Sequence, residues 1–212
     1  MISVDNITFT YPRSKTPVLK GFSADFQREK ITAIRGKNGC GKTTLTKLIT
    51  GILKPETGHI LIDGHNIVDD DLFQIGQKVG YLFQNPNSQL FCETVYKEIA
   101  YGLENMGLNE EAIAKKASYY LDYFNISHLS EAYPAKLSQG EKQRVMLSVI
   151  LAMGNQYLIL DEPTSGLDMK SRQDLGLMLE KLCLEQGLGI IIVSHDRDFM
   201  ARYAQRELVM GL

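Results

Sequence analysis

Apolar and polar positions alternate through the first part of the chain. ISVDNITFTY, LKGFSADF and ITAIR (from Ile31) each carry the two-residue period of a half-buried strand. A turn through Pro12 to Pro17 separates the first two. The stretch Gly36 to Gly41 breaks the alternation, and LTKLITGIL after it has helical spacing. GHILIDG, Gly58 to Gly64, reads as a short strand between turns. This part of the chain therefore predicts antiparallel β-structure with one strand–loop–helix unit. From Asn85 to Pro134 the pattern changes: ETVYKEIAYGLENMG and EEAIAKKASYYLDYF carry helical periodicity, which predicts a helical lobe inserted into the main domain. Beyond it, YLILDE and GIIIVSH are unbroken apolar runs, as expected of parallel strands covered on both faces. SRQDLGLMLEKLCLEQ supplies a helix between them, completing a βαβ unit. There is no internal repeat, low-complexity tract or coiled-coil pattern.

Composition narrows the picture without redirecting it. With 212 residues, 44% of them hydrophobic, the chain can build a sizeable core. The formal charge of −2 lacks the basic stripe of a nucleic-acid binder, so no nucleic-acid partner is expected. The longest apolar runs, such as LGIIIV, fall far short of the ~20 residues of a membrane helix. MISVDNITF has neither the charged head nor the apolar segment of a signal peptide, and a soluble, cytosolic chain is expected. Cys40, Cys92 and Cys183 are scattered without CxxC spacing, which reads as three reduced thiols.

Candidate chemistry concentrates at a few strand ends. GKNGCGKT, Gly36 to Thr43, fits G-x-x-x-x-G-K-[ST], with a strand before it and a helix after it. Such glycines let the loop turn its N–H groups onto phosphate oxygens. Lys42 then reaches the β and γ phosphates, and Thr43 offers a hydroxyl to Mg²⁺. Cys40 lies inside the loop, where it reads as a small residue that fits; a redox switch is the alternative, since a helix N-terminus lowers a thiol pKa. YLILDE ends an apolar strand in two acids. Asp161 is placed to hold Mg²⁺ through water and Glu162 to accept a proton from attacking water. Taken alone, the two acids could equally complement a helix dipole. His195, ending VSH, can point at the γ-phosphate, and Gln84 in YLFQNP can reach the metal or the attacking water. Tyr11 could stack on a base, although an aromatic of a first strand can also be core. LSQGEKQR, Leu137 to Arg144, offers a second potential anion cradle, a serine and glycine at a helix start.

The ordered set GKNGCGKTT, YLFQNP, LSQGEKQR, YLILDEPTSGLD and VSHD resembles the ATP-binding cassette (ABC) ATPases over nearly the whole chain. The resemblance implies an α/β fold: a RecA-like P-loop NTPase core with an antiparallel β subdomain and an inserted helical subdomain. On this reading residues 1–84 and 141–212 form the core with its β subdomain, and about 85–140 the helical subdomain. It implies ATP and Mg²⁺ as cofactors. ATP is expected on the loop residues Gly36, Lys37, Asn38, Gly39, Cys40 and Gly41, with Lys42, Thr43 and Thr44, and Tyr11 is the expected adenine-stacking ring. Thr43, Gln84 and Asp161 are expected on the metal, and Glu162, His195, Gln84 and Lys42 in catalysis. Gln84 would belong to the Q-loop, Ser165 to Asp168 to the D-loop and His195 to the switch.

In that family the signature LSGGQ of one subunit closes over the ATP of the other, so two cradles on one chain become two composite sites in a head-to-tail pair. Ser138 and Gly140 match the γ-phosphate contacts. Gln139 stands where the family has glycine and Glu141 where it has glutamine. Glu141 suits the helix dipole but sets a like charge near an anion, and is expected to weaken closure unless it points away.

QNPNSQLFCETVYKEIAYGLEN, Gln84 to Asn105, resembles more closely the cobalt-type and energy-coupling-factor ATPases. Those power uptake of vitamins and transition-metal ions with a transmembrane coupling protein and a membrane substrate-binding protein. A peripheral position on the cytoplasmic face of the membrane follows from the resemblance. Many members continue past the switch strand, whereas the sequence here ends at Leu212. The rival expectations are a cassette ATPase of another transport class, one acting in translation or DNA repair, and a regulatory nucleotide-binding subunit with little turnover. The last would be marked by loss of Lys42, Glu162 or His195, all of which are present.

Overall fold

β1 (Ile2–Phe9) and β2 (Leu19–Phe26) pair antiparallel, as the alternation predicts. The buried positions of β1 change parity from Ile2 and Val4 to Ile7 and Phe9, with Asn6 at φ 50 between them. That irregularity keeps both ends of the strand facing the core, and asparagine tolerates the left-handed backbone. The computed structural model describes residues 1–211. β3 (Ile31–Gly36) leads through the glycine loop into α1 (Lys42–Ile49). β4 (Thr57–Ile62) and β5 (His65–Asn66) complete a four-stranded antiparallel sheet in the order β2-β1-β4-β5. The short α2 (Leu72–Gly76) precedes β6 (Val79–Leu82).

α3 (Val95–Asn105), α4 (Glu110–Tyr123) and α5 (Gln139–Ala152) form the helical layer. Each has a side-chain N-cap, from Thr94, Asn109 and Ser138 respectively. α5 packs on both α3 and α4 and so joins them in one layer. It can do so because α5 is apolar around most of its girth, with Val145, Met146, Leu147, Ile150 and Leu151 all buried.

β7 (Tyr157–Asp161), α6 (Met169–Gln186), β8 (Gly189–Val193), α7 (Arg197–Tyr203) and β9 (Arg206–Met210) finish the chain. The parallel sheet runs β6-β7-β8-β3-β9. Its unbroken apolar strands divide their side chains by parity. Leu158, Leu160, Ile190 and Ile192 join the cluster that includes α3, α4, α5 and α6. Tyr157, Ile159, Ile191 and Val193 face the other cluster, which holds α1 and the antiparallel sheet. The sheet is thus a shared wall between two hydrophobic cores. Among the described residues no helix is long and apolar enough to cross a membrane.

Candidate active site

The strand–loop–helix unit is built around backbone that only glycine allows. A Cβ on Gly36 would lie 2.5 Å from the Met210 carbonyl oxygen, and Gly41, the N-cap of α1, sits at φ 98. Gly41 contributes no side-chain cap and the first turn of α1 carries no acid, so its amides face the loop without a competing carboxylate. The buried Lys42 ammonium donates across the loop to the carbonyls of Gly36 at 2.8 Å and Lys37 at 3.1 Å.

A cleft of about 590 Å³, within the range of small-molecule sites, collects most of the expected residues. Asn38, Gly39, Gly41, Lys42, Thr43 and Thr44 line one side, and Gln84, Asp161, Glu162 and His195 another. Tyr11 lines it as well, with its ring partly exposed and its hydroxyl 3.2 Å from Thr44 Oγ1. Gly36 and Lys37 instead line a neighbouring cleft that shares Asn38 and His195. Cys40 packs between Gly36 and Gly211.

The two acids at the end of β7 have different surroundings. Burial pushes the Asp161 carboxyl above its ordinary range, opposed by a hydrogen bond from Tyr81 and the charges of Lys47 and Lys42. Glu162 occupies left-handed backbone at φ 50, held by its own N–H on the Val193 carbonyl at 2.7 Å and by the Ser165 N–H on its carbonyl at 3.1 Å. A non-glycine residue there stores strain that the surroundings must override. Its Oε2 accepts from Ser194 Oγ and from the His195 N–H, both at 3.2 Å, and its Oε1 lies 3.5 Å from His195 Nε2. The carboxylate is therefore anchored on one oxygen and placed beside the exposed imidazole with the other.

Oxygen donors suited to Mg²⁺ meet in this cleft: the Thr43 hydroxyl, the Asp161 carboxylate and the Gln84 side chain. Among the described residues no group of three or more His, Cys, Asp or Glu could hold a metal by itself. The donor set fits Mg²⁺, which takes one or two protein ligands and fills its shell with water and phosphate oxygens.

Ser138 and Gly140 line a separate cleft of about 220 Å³ with Gln143, Arg144, Ser171 and Asp174, and none of the glycine-loop residues reaches it. Ser138 caps α5 in a capping box with Glu141. One carboxylate oxygen of Glu141 accepts from the Ser138 N–H at 2.8 Å and from Ser138 Oγ at 2.6 Å. The Ser138 hydroxyl first and its N–H second hold this carboxyl below its usual range. Glu141 does not point away; it bends back over the serine.

Sequence reasoning missed the polar groups behind the first row. Tyr81 Oη donates to Asp161 Oδ2 at 3.1 Å and lies 3.1 Å from Thr46 Oγ1. The Gln89 side chain accepts from the Phe83 N–H and donates to the Tyr81 carbonyl, both at 2.9 Å. Buried hydroxyls leave no spacing pattern; only the second glutamine of QNPNSQ carried a signal.

The family model described as ABC transporter matches residues 19–165. The chain is 38% identical over 213 residues to an energy-coupling factor transporter ATP-binding protein, EcfA, of Methanothermobacter thermautotrophicus, covering 100% of this chain and 68% of that one. Among solved structures it resembles cbiO1 from Clostridium perfringens, described as part of the ABC transporter complex cbiONQ. The TM-score is 0.92 and the identity 36%, over 99% of this chain and 84% of that one. A dimeric ATP-binding cassette in a post-hydrolysis state, bound to ADP and Pi, aligns with TM-score 0.86 and 26% identity, over 100% of this chain and 94% of the other.

Proposed function

The chain belongs to the ABC transporter family as one of its ATPases, and from that premise we propose that two such cassettes, closing head to tail on Mg-ATP, power uptake of a vitamin or transition-metal ion through membrane partners. The observation that carries the reading is the separation of the two cradles. Lys42, Asp161, Glu162 and His195 share one cleft, whereas Ser138 and Gly140 stand at another, with no phosphate-binding lysine of their own. A second copy, or a second cassette, supplies what each cleft lacks. The micronutrient class rests on the likeness to EcfA and to cbiO1.

Hydrolysis at such a site needs positioning and charge neutralisation more than covalent chemistry. Lys42 and the loop amides neutralise phosphate oxygens. Thr43, Asp161 and Gln84 would hold Mg²⁺, which supplies further neutralisation when bound. Glu162, anchored by Ser194 and the His195 amide, takes the proton of the attacking water at its free oxygen, and His195 faces the γ-phosphate. Tyr11 stacks on the adenine.

The membrane partner docks on the segment after Gln84. There Phe91 is 68% exposed and packs edge-on with Tyr101, ring centroids 5.1 Å apart, forming an exposed aromatic knob. The buried Glu98 fixes it, accepting from the N–H groups of Phe91 and Cys92, both at 2.6 Å.

Damage to the second cradle should act in trans. Ser138→Arg blocks closure and lowers turnover, while ATP binding to the separate chain survives. Mixing it with Lys42→Ala puts both lesions into one composite site of each mixed dimer and leaves the other intact. In a homodimer for which one site suffices, the mixture regains part of its activity; with an obligatory second cassette, the same test is run in the assembled complex. Loss of ATP binding by the folded Ser138→Arg monomer would overturn the reading.

Glu141→Gln should have the opposite sign. It removes a charge beside the site proposed for the partner's γ-phosphate; unit charges 4 Å apart in water repel by about 1 kcal/mol, or about fivefold in an equilibrium. The expected result is dimer formation at a several-fold lower ATP concentration, read by size exclusion. Because the folded carboxyl is depressed, the capping box contributes fully above the ordinary glutamate value and is lost only as pH falls through the lower folded value. Neutral pH therefore does not relieve the repulsion, and the wild type should show no gain in closure between pH 8 and pH 6 from this group.

A further inference from the structure

We infer that Tyr81, backed by Thr46, is a positioning residue for the metal side of ATP hydrolysis: it fixes one carboxylate oxygen of Asp161 and so presents the other to the divalent cation. The inference rests on the reading of Asp161 as a metal-side residue.

The sheet register creates the contact. Tyr81 on β6 pairs with Ile159 on β7, and Asp161 follows two residues later, so Tyr81, Ile159 and Asp161 share a face. That face looks onto α1, whose Leu45 and Leu48 lie in the same cluster as Val79, Tyr81 and Ile159. Thr46, fully buried on α1, meets the tyrosine hydroxyl there.

Counting protons gives the bonds a direction. An ionised carboxylate only accepts, so the Tyr81 proton lies on Asp161 Oδ2. A tyrosine carries its phenolic proton at neutral pH, so it is available as the donor. The Thr46 proton then serves either Tyr81 Oη, at 3.1 Å, or the Thr43 carbonyl, at 3.0 Å. Two hydroxyls thus tie Asp161 to the helical turn that carries Thr43, linking two residues assigned to the metal. Asp161 Oδ1 has no hydrogen-bond partner among the described residues, and the residue lines the nucleotide cleft.

Tyr81 is also held from behind. Gln89 grips its carbonyl and the Phe83 N–H, and the Tyr81 ring stands edge-on to Phe83 with centroids 4.6 Å apart. The strand that sets Asp161 therefore runs directly into Gln84 with no slack at Tyr81. A phenylalanine would fill the same space and lose only the aimed hydroxyl.

The test is the Mg²⁺ dependence of binding of a fluorescent ATP analogue by the full chain, with thermal unfolding as the check on folding. In EDTA, Tyr81→Phe should bind the analogue within about twofold of wild type, because the glycine loop is untouched. The Mg²⁺ concentration giving half-maximal enhancement should rise about tenfold, the lower range for a hydrogen bond to a charged group. A merely structural role would weaken binding equally with and without metal. Asp161→Asn separates the two readings. If it raises the Mg²⁺ midpoint and Tyr81→Phe does not, the role of Tyr81 is overturned and that of Asp161 stands. If neither shifts it, the metal-side reading of Asp161 falls and the inference falls with it. Should Tyr81→Phe not fold, Thr46→Val reads the same chain from its other end: a shift of about threefold supports the inference, and no shift overturns it.

Discussion

Glutamine in place of Glu162 is expected to keep ATP binding, cut turnover by ~10²-fold or more, and hold two chains together when ATP is present. The substitution is nearly isosteric, so the left-handed backbone at φ 50 and its two anchoring hydrogen bonds are not asked to change. A glutamine oxygen can still accept from Ser194 Oγ and the His195 N–H. What disappears is the ability to take a proton from water. Binding steps should therefore proceed and the chemical step should stall, so that the closed state accumulates instead of being spent. Phosphate release measures the first effect and size exclusion with ATP the second. Intact turnover together with a purely monomeric elution profile would remove Glu162 from the role of base.

Lys42→Ala should abolish hydrolysis and greatly weaken ATP binding. The ammonium is buried, and it donates to the Gly36 and Lys37 carbonyls, so its direction across the loop is set. On phosphate oxygens such charge-assisted bonds contribute roughly 1.5–3 kcal/mol each. Losing one lowers affinity by about tenfold or more, and losing two lowers it by about a hundredfold or more. The transition state, with more charge on its equatorial oxygens, suffers further. A fluorescent ATP analogue that binds the folded variant as tightly as wild type would end the assignment of the loop.

Sequence was most informative where one physical rule acted alone. YLILD and GIIIV were legible as parallel strands because nothing but burial on both faces explains an unbroken apolar run, and β7 and β8 lie side by side in the sheet. The helix expected from LTKLITGIL instead begins at Lys42 and stops at Ile49, since Gly51 sits at φ 72 and ends it. β6 was missed: it is four residues long and contains Gly80, where a Cβ would lie 2.1 Å from Ile150 Cγ2. β9 was missed because it is an edge strand whose exposed Arg206 and Glu207 mask its pattern. The glycine loop is readable because backbone geometry dictates residue type at fixed spacing. The placing of Glu141 over Ser138 needed coordinates, because the same carboxylate could have served the helix dipole without touching the serine.

The position of β3 has a consequence for how the protein is made. The strand that launches the glycine loop, Ile31–Gly36, lies between β8 and β9, whose residues are 189–193 and 206–210. A ribosome synthesises the loop more than 140 residues before either neighbour, about the interval between Gly41 and Gly189. Until then Ile31, Ala33 and Ile34, all buried in the finished fold, belong to a strand with two open edges. Pairings this distant in sequence close slowly, and open strands of this kind invite association with other chains. The nascent chain must therefore reach residue 210 before β3 is paired on both edges, and this interval, more than any weakness of the finished cores, is where chaperones or aggregation would act on it.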